Sequence, residues 1–202
     1  MSELKQRNKH TAIAFWGALD WASKTPADIQ SFLADDLRWD GFAPFVDTRT
    51  AADYVATFVT PFHGAFDQVH RETHILMGGV SDGRADGGTD GRYWVGGTGY
   101  LHAKQIADLG VIPARNMPLR LRWGEFLEFD EDGKITRIQT IIDVIDWLEQ
   151  INLSPLPKPT GAAHVYPAPT GCDGCLITEQ DAEQSDKLRD YARDFIFGGL
   201  NG

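Results

Sequence analysis

Basic charge is scarce in this chain: 19 Lys and Arg stand against 29 Asp and Glu, a formal net charge of -10. Phosphate binding needs a basic face, so this balance argues against a nucleic-acid partner and against an anionic membrane surface. Long apolar runs are missing too; none approaches the roughly 20 residues that a membrane span needs. Two cysteines in 202 residues form no disulfide framework. The opening MSELKQRNKH is charged and has no apolar run, so it does not read as a secretory signal. A soluble cytoplasmic protein is the expectation.

Several chemical signatures are also wanting. GGTGYL lacks a dinucleotide fingerprint, and no P-loop lysine follows it. There is no G-x-S-x-G elbow. Asp82, Asp86 and Asp90 do not have EF-hand spacing and suit a solvated loop. His70 and His74 in HRETH would share a helix face, but the segment reads as a strand. There they would stand about 13 Å apart at roughly 3.3 Å per residue, too far for a metal pair. Cys172 and Cys175 in CDGC have zinc and redox spacing, yet no second ligand pair exists, and Asp173-Gly174 between them is a turn signal. No metal is expected.

What is present is a sizeable core: 42% of the residues are hydrophobic. Ala12, Phe15, Trp16 and Leu19 fall at helical spacing in a helix over 4–22. TPADIQSFLADD predicts a second helix, with Thr25 as N-cap and Pro26 in the first position. LRWDGFAPF looks extended. A third helix starts near 47–50 and meets Pro61, where it should kink or break. The middle of the chain changes to strands, VHRETHILMGG and RYWVGGTGYLHA. After a loop, RLRWGEFLEF and the segment ending in Asp143 pair as a hairpin across Asp132-Gly133. VIDWLEQI adds a short helix. Helices first and antiparallel strands after mean an α+β fold. From Ser154 the proline content rises, which predicts an extended arm over 154–202 ending in an amphipathic helix at Leu188, Tyr191, Phe195 and Ile196. Residues 1–153 form the main domain. The arm's helix could dock on its own subunit or on a partner.

The hairpin carries the chemistry. Pairing residues whose numbers sum to about 264 puts Glu125 opposite Gln139, Trp123 opposite Ile141 and Leu121 opposite Asp143, with a one-residue bulge as the margin. One face would then hold Trp123, Glu125, Arg137, Gln139 and Asp143 among Leu and Ile side chains. An apolar face with a few convergent polar groups is how a small-molecule pocket is built, and burial raises a carboxyl pKa toward the range useful for acid–base work. Against this, Arg137 could neutralise Glu125, and Asp143 could simply cap the helix that follows. His102 and Tyr100, on the preceding strand, are candidates for a second acid or hydrogen bond; their face of the sheet is open.

GTGYLHA, the loop ending LGVIP, RWGEFLEFDEDGKITRI and IIDVIDWLEQI, in that order, resemble the SnoaL-like polyketide cyclase branch of the nuclear-transport-factor-2-like superfamily; VTPFHGAF also resembles its W-P-L…A-F segment. The resemblance spans residues 5–153, and the Pro-rich arm resembles a tail found in a subgroup. It implies a cone-shaped curved antiparallel sheet closed by the N-terminal helices around a pocket, in a homodimer. It further implies a cofactor-free enzyme in which Asp143 is the general acid/base. Beside that, the reading of the strands themselves adds Glu125 and His102 as catalytic candidates and Trp123, Gln139, Tyr100 and Arg137 as candidates for substrate contact. The family's Glu-His-Trp run reads Arg137-Ile138-Gln139 here. The expected ligand is a small, largely apolar carbonyl compound undergoing cyclisation, isomerisation or dehydration. A binding protein without catalysis and a dimeric interaction module with a filled cone are the alternatives.

Overall fold

The structure is a computed structural model that describes residues 2–20, 26–81, 91–157, 160–161, 166–169, 175, 177 and 181–200. Helix α1 (Ser2–Asp20) buries Ala12, Phe15, Trp16 and Leu19, the stripe its spacing predicts. The second helix is much shorter than expected: α2 covers only Pro26–Gln30, and β1 (Leu33–Asp40) takes over the rest of that segment. Leu33, Leu37 and Trp39 are buried there, so pairing with the sheet overrides local helix propensity. Thr25 lies outside the described residues, as do Cys172, Asp82, Asp86 and Asp90.

The third helix begins as expected, with Thr50 Oγ1 accepting from Asp53 N (3.0 Å). It runs without a break from α3 (Ala51–Tyr54) through a widened π-turn (Val55–Val59) into α4 (Thr60–Ala65). Pro61 explains the widening. Its ring collides with the carbonyl four residues back, and the extra residue per turn relieves that clash without ending the helix.

The sheet has five strands in the order β1-β5-β4-β3-β2. Strands β2 (Phe66–Val80), β3 (Tyr93–Gln105), β4 (Pro118–Phe129) and β5 (Ile135–Ile142) are antiparallel neighbours, and β1 joins β5 in parallel at the edge. Helix α1 covers the inner face over β2 and β3. Alternate residues of β4, namely Leu119, Leu121, Trp123, Glu125, Leu127 and Phe129, point into the core. Gly97 sits opposite Glu125 for a steric reason: a Cβ there would come within 2.4 Å of the Trp16 ring and 3.1 Å of the Trp123 ring. The result is a curved α+β cone with an apolar interior. Helix α5 (Val144–Gln150) follows β5, and α6 (Ala182–Asp194) continues as a wider helical segment, Phe195–Leu200. No helix among the described residues is long and apolar enough to cross a membrane.

Candidate active site

The hairpin register differs from the expectation by one residue on β5. Glu125 pairs with Thr140, Trp123 with Ile142 and Leu127 with Ile138. An irregularity near Thr136 inserts the extra residue: Glu128 pairs with Arg137, but Phe129 already pairs with Ile135. Because side chains alternate, that single step exchanges the faces of β5. Ile138, Thr140 and Ile142 turn inward. Arg137, Gln139, Ile141 and Asp143, expected to line the cone, lie on the outer face.

Each displaced residue has an outer-face partner. Arg137 forms an ion pair with Asp40 (Nε to Oδ2, 2.8 Å), and Gln139 Nε2 donates to the same oxygen (3.2 Å). Burial alone would raise the Asp40 pKa, but Arg38, Arg137 and Gln139 together hold it below 3.8. Asp143 caps α5: its Oδ1 accepts from Asp146 N (3.0 Å), and its Oδ2 stands 3.9 Å from Arg122. His102 also faces outward, its Nε2 3.1 Å from Glu72 Oε2. Tyr100 is only 4% exposed, yet it faces away from the cone. Its hydroxyl accepts from Tyr166 N (3.1 Å) in the Pro-rich arm. Of the seven sequence candidates, only Trp123 and Glu125 meet inside.

The cone supplies other partners instead. Glu125 is fully buried and accepts from Trp16 Nε1 at one oxygen and from Thr140 Oγ1 (2.7 Å) at the other. Trp39 Nε1 donates to the same threonine oxygen (3.0 Å), which directs the hydroxyl proton of Thr140 toward Glu125. Arg71, on β2, makes a two-pronged ion pair with Asp20 at the end of α1, both contacts 2.7 Å. Its guanidinium lies 4.2 Å from the centre of the Trp123 ring. Trp16 and Trp123 meet edge to face at 5.1 Å.

Glu125, Arg71, Thr140 and Trp123 line one void of about 20 Å³, room for roughly one water, closed elsewhere by Phe42, Phe58 and other apolar side chains. Trp123 Nε1 and the Tyr54 hydroxyl are buried with no hydrogen-bond partner among the described residues. Burial raises the Glu125 pKa above its ordinary 4.5, outweighing the downward pull of Arg71, Thr140 and Trp16. The arrangement joins a carboxyl that holds its proton unusually well, a fixed cation and the Trp123 indole around one small void. That set can move a proton and stabilise a developing oxyanion.

Trp16, Asp20, Arg71 and Thr140 went unrecognised in the sequence. Thr140 was legible: Ile138, Thr140 and Ile142 are the less polar alternate set of β5, against Arg137 and Gln139. Asp20 and Arg71 are 51 residues apart and meet only because α1 crosses β2. Among the described residues no cluster of three His, Cys, Asp or Glu side chains could hold a metal ion.

Sequence comparison finds no protein-family model and no curated protein that matches this chain. Its fold, however, is widely shared among solved structures. A provisionally assigned polyketide cyclase from Xanthomonas campestris pv. campestris superposes with a TM-score of 0.56 at 19% identity, over 73% of this chain and 98% of that one. A provisionally assigned SnoaL-like polyketide cyclase from Shewanella denitrificans gives 0.57 at 12% identity, over 72% and 96%. SalBIII, described as an epoxide hydrolase/cyclase-like enzyme in pyran ring formation of the polyether salinomycin, gives 0.53 at 13% identity, over 72% and 97%.

Proposed function

We propose that this chain, which has the SnoaL-like, nuclear-transport-factor-2-like fold, is a cofactor-free acid–base enzyme acting on a small, largely apolar carbonyl compound inside the cone. The observation that carries this reading is the buried Glu125 beside the Arg71–Asp20 pair. A buried carboxyl and a buried ion pair oppose folding unless fully partnered, and such groups concentrate where chemistry is done.

Glu125 is the proposed acid/base, in preference to Asp143, because it faces the void. As carboxylate it takes a proton from the carbon next to the substrate carbonyl. The electron pair moves to the carbonyl oxygen, which Arg71 and Trp123 Nε1 stabilise. The protonated carboxyl then returns its proton to a carbon for isomerisation, to a departing hydroxyl for dehydration, or to the new alkoxide when the enolate carbon closes a ring on a second carbonyl. A raised pKa makes the carboxylate a stronger base at neutral pH. Trp16 and Thr140 hold it in one orientation. Ring closure is also the chemistry named for SalBIII.

Deuterium exchange into a panel of small cyclic ketones and 1,3-diketones in D₂O, followed by NMR, tests the reading without knowledge of the natural substrate. The folded protein should exchange at least one of them faster than buffer, and Glu125→Gln should lower that rate by about 10²–10⁴-fold. Equal rates in the two proteins would exclude Glu125 as the base. The small volume of the void favours a second reading, a cone filled by its own side chains for an interaction module. That reading stands if no compound exchanges and none shifts the Trp123 indole resonance.

A further inference from the structure

The void beside Glu125 has room for roughly one water, whereas a small-molecule pocket measures about 300–1,000 Å³. For a substrate to reach Glu125, one wall of the cone must yield. Most of the side chains around the void are buried on strands or helices. Among the described lining residues three are partly exposed: Arg71, Ile142 and Phe42. Arg71 is fixed by β2 and by its two contacts with Asp20, and Ile142 is fixed by its pairing with Trp123 in the sheet. Phe42 stands on the loop between β1 and α3.

That loop is a self-contained piece. Trp39 and Thr48 exchange both backbone hydrogen bonds (3.1 Å each), which closes residues 40–47 at their base. Just above the base Gly41 N donates to Asp47 Oδ1 (3.1 Å), and at the tip Phe45 N donates to Phe42 O (2.8 Å). Among the described residues the tip, 42–46, hydrogen-bonds only to itself. What holds it down is apolar. The Phe42 ring meets Phe45 at 5.2 Å and Phe58 at 5.9 Å, both edge to face. Pro44 lies by the turn at Gly110, where an added Cβ would stand 3.4 Å from the proline ring. Val46 is left 70% exposed. A segment tied to the body by a few apolar contacts opens at low free energy.

We propose that Phe42 is the plug of the cone, and that loop 41–47 swings out on its base so that one flat ring of the substrate takes its place. This rests on the reading of the cone as the site of carbonyl chemistry. With Phe42 lifted, the space it leaves is that of a single phenyl ring, and it opens into the void beside Glu125 and Arg71 that Phe42 lines. An apolar space of about 150 Å³ accepts one benzene-sized ring. The substrate class follows from that shape: a compound with one flat six-membered ring and a carbonyl group on it or next to it. The ring would meet Phe58 as Phe42 does, and the carbonyl would point inward to Arg71. A fused second ring needs the place of Phe45 as well, which packs on Phe58 at 5.5 Å and on Trp39 at 6.1 Å. Phe42 and Phe45 thus set how many rings are admitted.

Acetophenone and its fused two-ring counterpart 1-tetralone are the probes, with the Trp123 indole resonance of the full chain as readout. The wild-type chain should bind acetophenone, and 1-tetralone at least about tenfold more weakly. Phe42→Ala should tighten acetophenone by about tenfold or more, because no closed loop competes with the ligand. Phe42→Trp should weaken it by about as much. Phe42→Ala with Phe45→Ala should admit 1-tetralone. A trifluoromethyl label on Ala43→Cys, an exposed position, in a Cys172→Ser, Cys175→Ser background reads the loop itself. Its fluorine resonance should shift when acetophenone saturates the chain. Equal acetophenone affinity in wild type, Phe42→Ala and Phe42→Trp overturns the proposal. So does binding to none of the three, or a label that does not respond while acetophenone binds. Failure here is distinct from failure of Glu125 as the base. Binding graded by residue 42 without proton exchange keeps the plug and removes the base. Exchange that needs Glu125 but is indifferent to residue 42 keeps the base and removes the plug.

Discussion

Glu125 and Asp40 are carboxyls of the same sheet whose surroundings push them in opposite directions. Glu125 holds its proton more tightly folded than unfolded, because burial outweighs its partners. Its contribution to stability is therefore complete below about pH 4.5 and is lost as the pH rises through the folded value. Asp40, held below 3.8 by Arg38, Arg137 and Gln139, contributes above that pH, and the contribution is lost as the pH falls through its folded value. Urea midpoints between pH 2 and 8 should separate the two. Glu125→Gln should flatten the decline toward neutrality, and Asp40→Asn should flatten the acid limb. Arg71 is a third residue with a clear sign. Its ion pair with Asp20 leaves the two side chains 9% and 8% exposed, so Arg71→Met strands a buried carboxylate. Denaturation should report a loss of about 3–5 kcal/mol, with recovery in the double variant that also carries Asp20→Asn.

Among the elements, β5 holds the most consequential detail. One extra residue near Thr136 brings Thr140 to Glu125 and sends Asp143 to the head of α5. Asp143 as a cap makes a prediction that a catalytic Asp143 does not. Asp143→Asn should keep both stability and any exchange activity, since Asn caps about as well as Asp. Asp143→Ala should lower stability by about 1 kcal/mol in thermal or urea unfolding and leave the chemistry alone. The bulge was not legible, because turn residues set a hairpin's loop but not an irregularity several residues away. The inward set of β4 was legible, since alternation from Leu119 to Phe129 admits one buried face. The helix expected over 25–36 failed for a different reason: Leu33–Asp40 is claimed by pairing with β5, a partner 100 residues on.

For the whole molecule, local pattern by itself determined the α+β class, the α1 stripe of Phe15, Trp16 and Leu19, the inward face of β4 with Trp123 and Glu125, and the amphipathic character of α6. These follow from periodicities of 3.6 and 2 that any short window contains. Tertiary structure alone decided which partners the buried Glu125 meets, which arginine stands near it, and which face Asp143 and Gln139 adopt. Those depend on a single bulge and on a helix crossing a strand 51 residues away, and no local pattern carries either.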